Sequence, residues 1–440
     1  MKVLKFGGTS VGSSQRMKSV AGLICDGEQK IVVISAMAGT TNALIDIAAC
    51  FYRKDKESAR QIVKKQGYKY AMEIEQLFAT EAYRQQALRE VKACFERIWM
   101  FSEGPFTGFD EKRIVAQGEL ISACMMNLYL QECGVKSVLL PALDFMRTTV
   151  DAEPDLEYIR EKLLALLQRH AGADLYITQG FICRNAFGQV DNLKRGGSDY
   201  TASLVGAALG AEEIQIWTDI DGMHNNDPRF VNGTSPVRQL NFEEAAKLAY
   251  FGAKILHPTC ILPAKTHNIP VRLLNTLDPE APGTLISNTA EKGKIKAVAA
   301  KDHITYVKLK SKRILQLPKF LSKVFDTFAC YATPVDMVTT SEIGVSVTID
   351  DREHLPQILG ELEPYASVTL EEDMVIICVV GDLEWQNIGF EASIINALKD
   401  IPVRMISYGG SNSNVSLVMK ADDKQRALQA LSLSLFQSGL

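Results

Sequence analysis

The sequence predicts an α/β protein with a mostly parallel sheet, joined to a smaller α+β region. Three observations carry that expectation. Short apolar runs alternate with amphipathic helical patterns over the first two-thirds of the chain, as in an open sheet with helices on both faces. Two glycine pairs, Gly7-Gly8 after a strand and Gly196-Gly197 before a helix, mark turns where a backbone can approach a ligand closely. After residue 290 a βαββαβ pattern is written twice, which two small α+β modules explain. At 440 residues the chain exceeds one ordinary domain.

Composition narrows the class. A content of 47% hydrophobic and 23% charged residues is that of a soluble globular protein, and a net charge of −4 gives no pull toward nucleic acid or anionic membrane. Nine cysteines, odd in number and never spaced Cys-x-x-Cys, point to reduced thiols rather than a disulfide framework or a zinc site. No secretory apolar region precedes Gly7 and no segment reaches membrane-span length, so a cytoplasmic enzyme is expected.

In chain order, 1–6 and 30–35 read as buried parallel strands, with a helix over 13–25 (Met17, Val20, Ala21, Ile24) completing a βαβ unit. The second strand exits into a hydroxyl-rich loop, Ser35 to Asn42, at the end of the sheet where such folds bind ligands. From 42 to 134 the pattern is helical, broken at Gly104-Pro105; within it Glu119 taken alone reads as a solvated helix residue. Strands resume at 135–140, 174–178, 213–217 and 270–274, alternating with helices near 154–169, 198–209 and 242–252. Asn241 with Glu244 has the form of a capping box, and Ser198 or Asp199 is available to cap the helix near 198. A polar linker at 291–294 leads to the repeat, with helices near 318–330, 352–363, 388–400 and 422–436.

The chemistry centres on Arg195-Gly196-Gly197-Ser198-Asp199. The first turn of a helix leaves N–H groups without partners and attracts anions. Arg195 offers a fork for a carboxylate or phosphate, and Asp199 can orient an ammonium or a lysine. Lys5, at the exit of the first strand, is the natural lysine, and together the two glycine turns suggest phosphoryl transfer. No Walker A motif is present, which excludes a P-loop NTPase. His224, His257 and Cys260 fit no usual ligand spacing, so no protein-held metal is expected.

With Lys5-Phe6-Gly7-Gly8-Thr9-Ser10-Val11, Arg195 to Asp199, Thr218-Asp219-x-Asp221-Gly222, Asp227-Pro228-Arg229 and Phe251-Gly252-Ala253-Lys254-x-Leu256-His257-Pro258 in this order, the chain resembles the aspartokinases over essentially its whole length. It looks most like their lysine-sensitive branch. The resemblance implies an amino-acid-kinase three-layer sandwich over 1–290 and two ACT modules over 296–440, one inserted within the other. The first module would span about 311–382, and the second about 383–440 plus the strand near 298–310. The implied reaction is phosphorylation of the β-carboxylate of L-aspartate by ATP, the first step toward lysine, threonine and methionine, under feedback control. That carboxylate has a reference pKa of about 3.9 and needs no general base.

By the same resemblance, Lys5 and Asp199 are catalytic, and Ser35, Thr41, Glu119, Phe181, Arg195, Gly196, Gly197 and Ser198 hold substrate. ATP would meet Lys5, Gly7, Gly8, Thr218, Asp219, His224, Arg229 and Lys254, with Mg²⁺ bridging its phosphates. An effector, lysine or threonine, would meet Ile314, Lys319, Phe320, Asp336, Thr340 and Ser341. The implied partners are those small molecules and a second copy of the chain, as a homodimer or higher assembly, with no nucleic acid or membrane. Two residues depart from the family pattern. His224 stands where a tyrosine is common, and Lys319 where glycine is usual. Lys319 either replaces an effector's ammonium and weakens lysine inhibition, or points to solvent. Glutamate or acetylglutamate as substrate, and a catalytically silent amino-acid sensor, are the alternatives; a sensor would not need Lys5, Arg195 and Asp199.

Overall fold

The computed structural model describes residues 1–193, 196–253, 256–312 and 317–437. Strand β1 (Lys2–Phe6) leads through α1 (Ser14–Ile24) to β2 (Lys30–Ile34), and then to α2 (Thr40–Tyr52), α3 (Lys56–Leu77), α4 (Glu81–Met100), α5 (Gly108–Val115) and α6 (Gln117–Glu132). Next come β3 (Ser137–Leu140), α7 (Leu156–Arg169), β4 (Leu175–Gln179), the hairpin β5 (Ile182–Arg184) and β6 (Val190–Asn192), α8 (Gly197–Leu209) and β7 (Ile214–Thr218). The short β8 (Gln239–Asn241) and α9 (Phe242–Tyr250) precede α10 (Pro258–Thr266), β9 (Val271–Asn275) and β10 (Thr284–Ser287). The remainder is β11 (Ile295–Ser311), α11 (Leu317–Cys330), β12 (Met337–Ser341), β13 (Gly344–Ile349), α12 (Leu355–Leu362), β14 (Ala366–Gly381), α13 (Phe390–Ala397), β15 (Met405–Ser407), β16 (Asn414–Lys420) and α14 (Lys424–Phe436). These elements form two compact units, Met1–Met223 with Ile255–Thr289, and His224–Lys254 with Ala290–Leu440.

In the first unit the strands follow the order β3-β4-β2-β1-β7-β9-β10. Neighbours are parallel except β10, which runs antiparallel to β9. Every residue of β2 and β4 is buried, which is why each carries consecutive apolar residues, Ile31 to Ile34 and Leu175 to Ile177, rather than an alternating pattern. Helix α1, capped by the Ser13 hydroxyl, seats Met17, Val20 and Ile24 in a core with Phe6, Val32 and Ile34, to which α6 adds Met126 and Leu130. Gly118 lets α6 approach the exit of β2, since a Cβ there would lie 2.8 Å from the Ala36 Cβ. The strand ends lie within two residues of their expected positions, and Asn241 with Glu244 closes a capping box on α9. One cap differs from expectation. Neither Ser198 nor Asp199 caps α8; Gly196, left-handed at φ 75°, is the N-cap residue and Ser198 already lies inside the first turn. The β5–β6 hairpin, β8 and β10 were not anticipated, being too short or too weakly patterned for a periodicity signal.

The second unit carries one six-stranded sheet, β12-β13-β11-β14-β16-β15, antiparallel throughout. Its two longest strands, β11 and β14, pair along almost their whole length, with register shifts between Lys301 and Tyr306. Only Thr305–Lys310 of β11 also pairs with β13. The strand expected near 298–310 is therefore divided. Val307 and Leu309 pack with Phe320, Val324 and Ile358 around one helix pair, whereas Val298 packs with Val375, Ile394, Leu417 and Leu428 around the other. The two copies of the repeat share their central strands.

Candidate active site

The carboxyl ends of β1, β2 and β4 and the start of α8 surround a cavity of about 530 Å³ in the first unit. Lys5, Gly8, Ser35, Thr41, Glu119, Phe181, Gly196, Gly197, Ser198 and Asp199 all line it. At its floor the Lys5 ammonium lies 2.6 Å from the Asp199 carboxylate, both side chains about nine-tenths buried. Strand β1 delivers the lysine and the first turn of α8 delivers the aspartate, so the pair joins the two glycine motifs directly.

Each glycine motif has a packing reason. A Cβ on Gly8 would lie 2.7 Å from the Ala36 carbonyl, and one on Gly197 would lie 2.4 Å from the Phe181 ring. The two N–H groups expected to receive phosphate differ in availability. Gly7 N–H donates to the Trp217 carbonyl at 3.3 Å, which ties β1 to β7 and removes it as a free donor. Among the described residues, no hydrogen bond takes the Gly8 N–H. Phe181 holds φ 69°, a strained value for a bulky side chain, fixed by its N–H donating to Thr201 Oγ1 and its carbonyl accepting from Leu193.

Glu119 is not the solvated residue its local sequence suggests. It is 4% exposed, with Oε1 accepting the Ala36 N–H at 3.3 Å and, among the described residues, no partner for the buried Oε2. Burial pushes its carboxyl up to about 7, against the lowering effect of backbone N–H donors. Among the described residues no cation pairs with this carboxylate, and a ligand ammonium entering the cavity would supply one.

Thr218 and Asp219 border a second cavity of about 170 Å³ with Ser10, Arg16 and Thr276. No helix begins at Thr218; its hydroxyl accepts the Ile220 N–H in a tight turn. His224 and Arg229 belong to the second unit, where His224 Nδ1 lies 2.9 Å from Thr234 Oγ1 and Arg229 pairs with Asp227. Arg195, Lys254 and Ile314 lie outside the described residues. Among the described residues, no group of three or more His, Cys, Asp and Glu side chains is arranged to hold a metal ion.

Residues 1–275 match the amino acid kinase family and residues 377–435 match the ACT domain. Lysine-sensitive aspartokinase 3 of Escherichia coli (strain K12) is 32% identical over 451 residues that cover 99% of both chains. The chain belongs to the aspartokinase family. Aspartokinase 1, chloroplastic, of Arabidopsis thaliana is 33% identical over 99% of this chain and 80% of its own. Among solved structures, E. coli aspartokinase III in complex with aspartate and ADP (R-state) superposes with a TM-score of 0.84 at 32% identity, covering 99% of this chain and 100% of that one. The same enzyme in complex with lysine and aspartate (T-state) gives 0.79 at 33%, covering 99% of each.

The effector residues that the resemblance to aspartokinases singled out differ in exposure. Lys319 is exposed on α11, while Phe320 is 6% exposed and belongs to the core beneath it. Thr340 and Ser341 are exposed on the edge strand β12. The Asp336 side chain is fully buried and already engaged. Its Oδ1 receives the Tyr250 hydroxyl and the Lys301 ammonium, each at 2.5 Å, and Lys301 also reaches Asp350 at 2.9 Å. Sequence reasoning missed Tyr250 and Lys301 in this junction, as it missed Thr276 beside Thr218. None lies in a motif, and only the tertiary fold brings them to their partners.

Proposed function

We infer that this aspartokinase transfers the γ-phosphoryl group of ATP to the β-carboxylate of L-aspartate, giving 4-phospho-L-aspartate and ADP. The observation that carries this reading is the Lys5–Asp199 pair in a cavity whose wall holds the buried carboxylate of Glu119. Two anions must meet for the reaction to occur, so the enzyme's task is positioning and charge neutralisation rather than proton transfer. The lysine ammonium, kept in place by Asp199, faces the transferring group and stabilises the charge that develops on its oxygens. The Gly8 N–H and the N-terminus of α8 add donors for phosphate or carboxylate oxygens.

Glu119 takes the α-ammonium of aspartate, and Ser35, Thr41, Phe181 and Ser198 fix the rest of the substrate, with Arg195 on a carboxylate. Thr218 and Asp219 meet the nucleoside of ATP, which enters as its Mg²⁺ complex. The reaction is one bond exchange. A β-carboxylate oxygen forms a bond to the γ-phosphorus as the bond to the β,γ-bridging oxygen breaks, and ADP carries the charge away. The catalytic region spans 1–290 and the regulatory region 296–440, where lysine or threonine acts on ACT modules in a cytoplasmic homodimer or higher assembly. Helices long and apolar enough to cross a membrane are absent among the described residues.

The test is MgATP turnover with L-aspartate, the acyl phosphate trapped by hydroxylamine, beside Lys5→Ala and parallel reactions with glutamate and acetylglutamate. Hydroxamate formed with aspartate and lost in the variant supports the reading. Folded protein that forms none with any acid would make the chain a sensor instead.

A further inference from the structure

Three strand exits lie side by side at the carboxyl edge of the first unit's sheet, because β1, β7 and β9 are consecutive neighbours. Two carry motifs, Gly7 to Ser10 and Thr218-Asp219. The third, after β9, carries none, yet hydroxyl groups join it to both. Thr276 Oγ1 donates to the Thr218 carbonyl at 2.7 Å, and the Thr276 N–H reaches the same oxygen at 2.8 Å. Ser10 Oγ lies 2.6 Å from Thr276 Oγ1.

Counting protons fixes the direction of this chain. A hydroxyl has one proton to give. That of Thr276 goes to the Thr218 carbonyl, so Ser10 donates to Thr276. The alternative acceptor for Ser10, the Trp217 carbonyl at 3.4 Å, is the longer contact and already receives the Gly7 N–H. Ser10 is itself oriented by its N–H to the Gly7 carbonyl at 2.9 Å, the bond that closes the glycine turn. The relay therefore runs from that turn through Ser10 and Thr276 to Thr218. Both hydroxyl residues are buried, and both border the 170 Å³ cavity that Asp219 and Arg16 also line.

We propose that Thr276, backed by Ser10, is a positioning residue for nucleotide binding: it holds the Thr218-Asp219 loop in register with the glycine turn that receives the phosphates. The proposal rests on the reading of Thr218 and Asp219 as nucleotide contacts. Thr276 touches neither substrate nor phosphate in this role; it sets the distance between the two ends of a nucleotide. A relay of this kind acts on ATP and leaves aspartate, bound by Glu119 on the other side of β1, largely untouched.

The experiment uses the full chain with Thr276→Val, Thr276→Ser, Ser10→Ala and Asp219→Asn, reading KM for ATP, KM for aspartate, kcat and ADP affinity by calorimetry. Thr276→Val keeps the side-chain volume and removes the hydroxyl from both links. It is expected to raise the ATP KM and the ADP dissociation constant about tenfold, with the aspartate KM changed less than about twofold. Thr276→Ser restores both values to within about threefold, and Ser10→Ala, which leaves both bonds to the Thr218 carbonyl, gives a smaller shift of about threefold. An unchanged ATP KM in Thr276→Val, equal shifts for both substrates, or a serine variant no better than valine overturns the proposal. Should the valine variant not fold, an unchanged ATP KM in Ser10→Ala overturns it instead. Asp219→Asn separates the premises: no effect on ATP there sinks the nucleotide reading itself, while a clear effect beside a silent Thr276→Val sinks the relay alone.

Discussion

Raising the pH from about 6 to about 8 titrates Glu119, the group proposed to take the aspartate ammonium. Burial lifts the Glu119 carboxyl from 4.5 to about 7, so ionising it in the empty cavity costs about 3 kcal/mol more than in water. With that midpoint, roughly a tenth of the sites are ionised at pH 6 and roughly nine-tenths at pH 8. The ionised form alone attracts an ammonium, and the aspartate KM at saturating MgATP should fall about tenfold across this window. Glu119→Gln should show a raised KM with no comparable slope, which separates the residue from titration of the nucleotide. The stability consequence has a definite sign. The folded-state value lies above the unfolded one, so the favourable contribution is full below about pH 4.5 and is lost as pH rises toward 7. Glu119→Gln should therefore gain stability over the wild type at pH 8, by up to about 3 kcal/mol in urea denaturation, and gain little at pH 4.5. A wild-type KM that is flat across the window, or the same slope in the glutamine variant, would refute the assignment.

Other expectations follow from the same geometry. Lys5→Ala should lower kcat by about 10³ and destabilise the fold by about 3 kcal/mol, because Asp199 is left buried without its partner; adding Asp199→Asn should recover stability in thermal melts without recovering turnover. Lys301→Met strips the counter-charge from buried Asp336 and should cost about 3 kcal/mol, and Tyr250→Phe, which removes one hydrogen bond, about 1 to 2 kcal/mol; equal stability of both variants and wild type in urea would discard the junction. Since Lys319 is exposed, Lys319→Gly should move the half-inhibitory lysine concentration by less than about twofold, and a tenfold shift would show instead that its ammonium competes with the effector.

Much of the fold was legible because burial on both faces of a parallel sheet leaves a simple trace, as in Lys-Ile-Val-Val-Ile of β2. The cavity was legible for a different reason: its residues follow strand ends or open helices, and the glycines among them are there to avoid contacts that a Cβ would make. What stayed hidden depends on distance in the chain. Glu119 looks solvated until Gly118 brings α6 against Ala36, and nothing near residue 119 reports that approach. Thr276 reaches Thr218 across 58 positions, and Tyr250 reaches Asp336 across 86. The resemblance gave the strand near 298–310 wholly to the second module; that β11 serves both stayed hidden, since periodicity records which face a residue uses but not which neighbour it pairs with.

That sharing has a mechanical consequence. Strands of 17 and 16 residues, bonded side by side, form a ribbon of roughly 55 Å that serves as the spine of both modules. Neither module can be excised alone without tearing strands out of the other. A ribbon of continuous hydrogen bonds resists stretching far more than twisting. Away from its end, where the register also slips between Ile295 and Ala297, it is softest between Lys301 and Tyr306. A load applied to one module should therefore reach the other as torsion, reduced only by what that short irregular stretch absorbs.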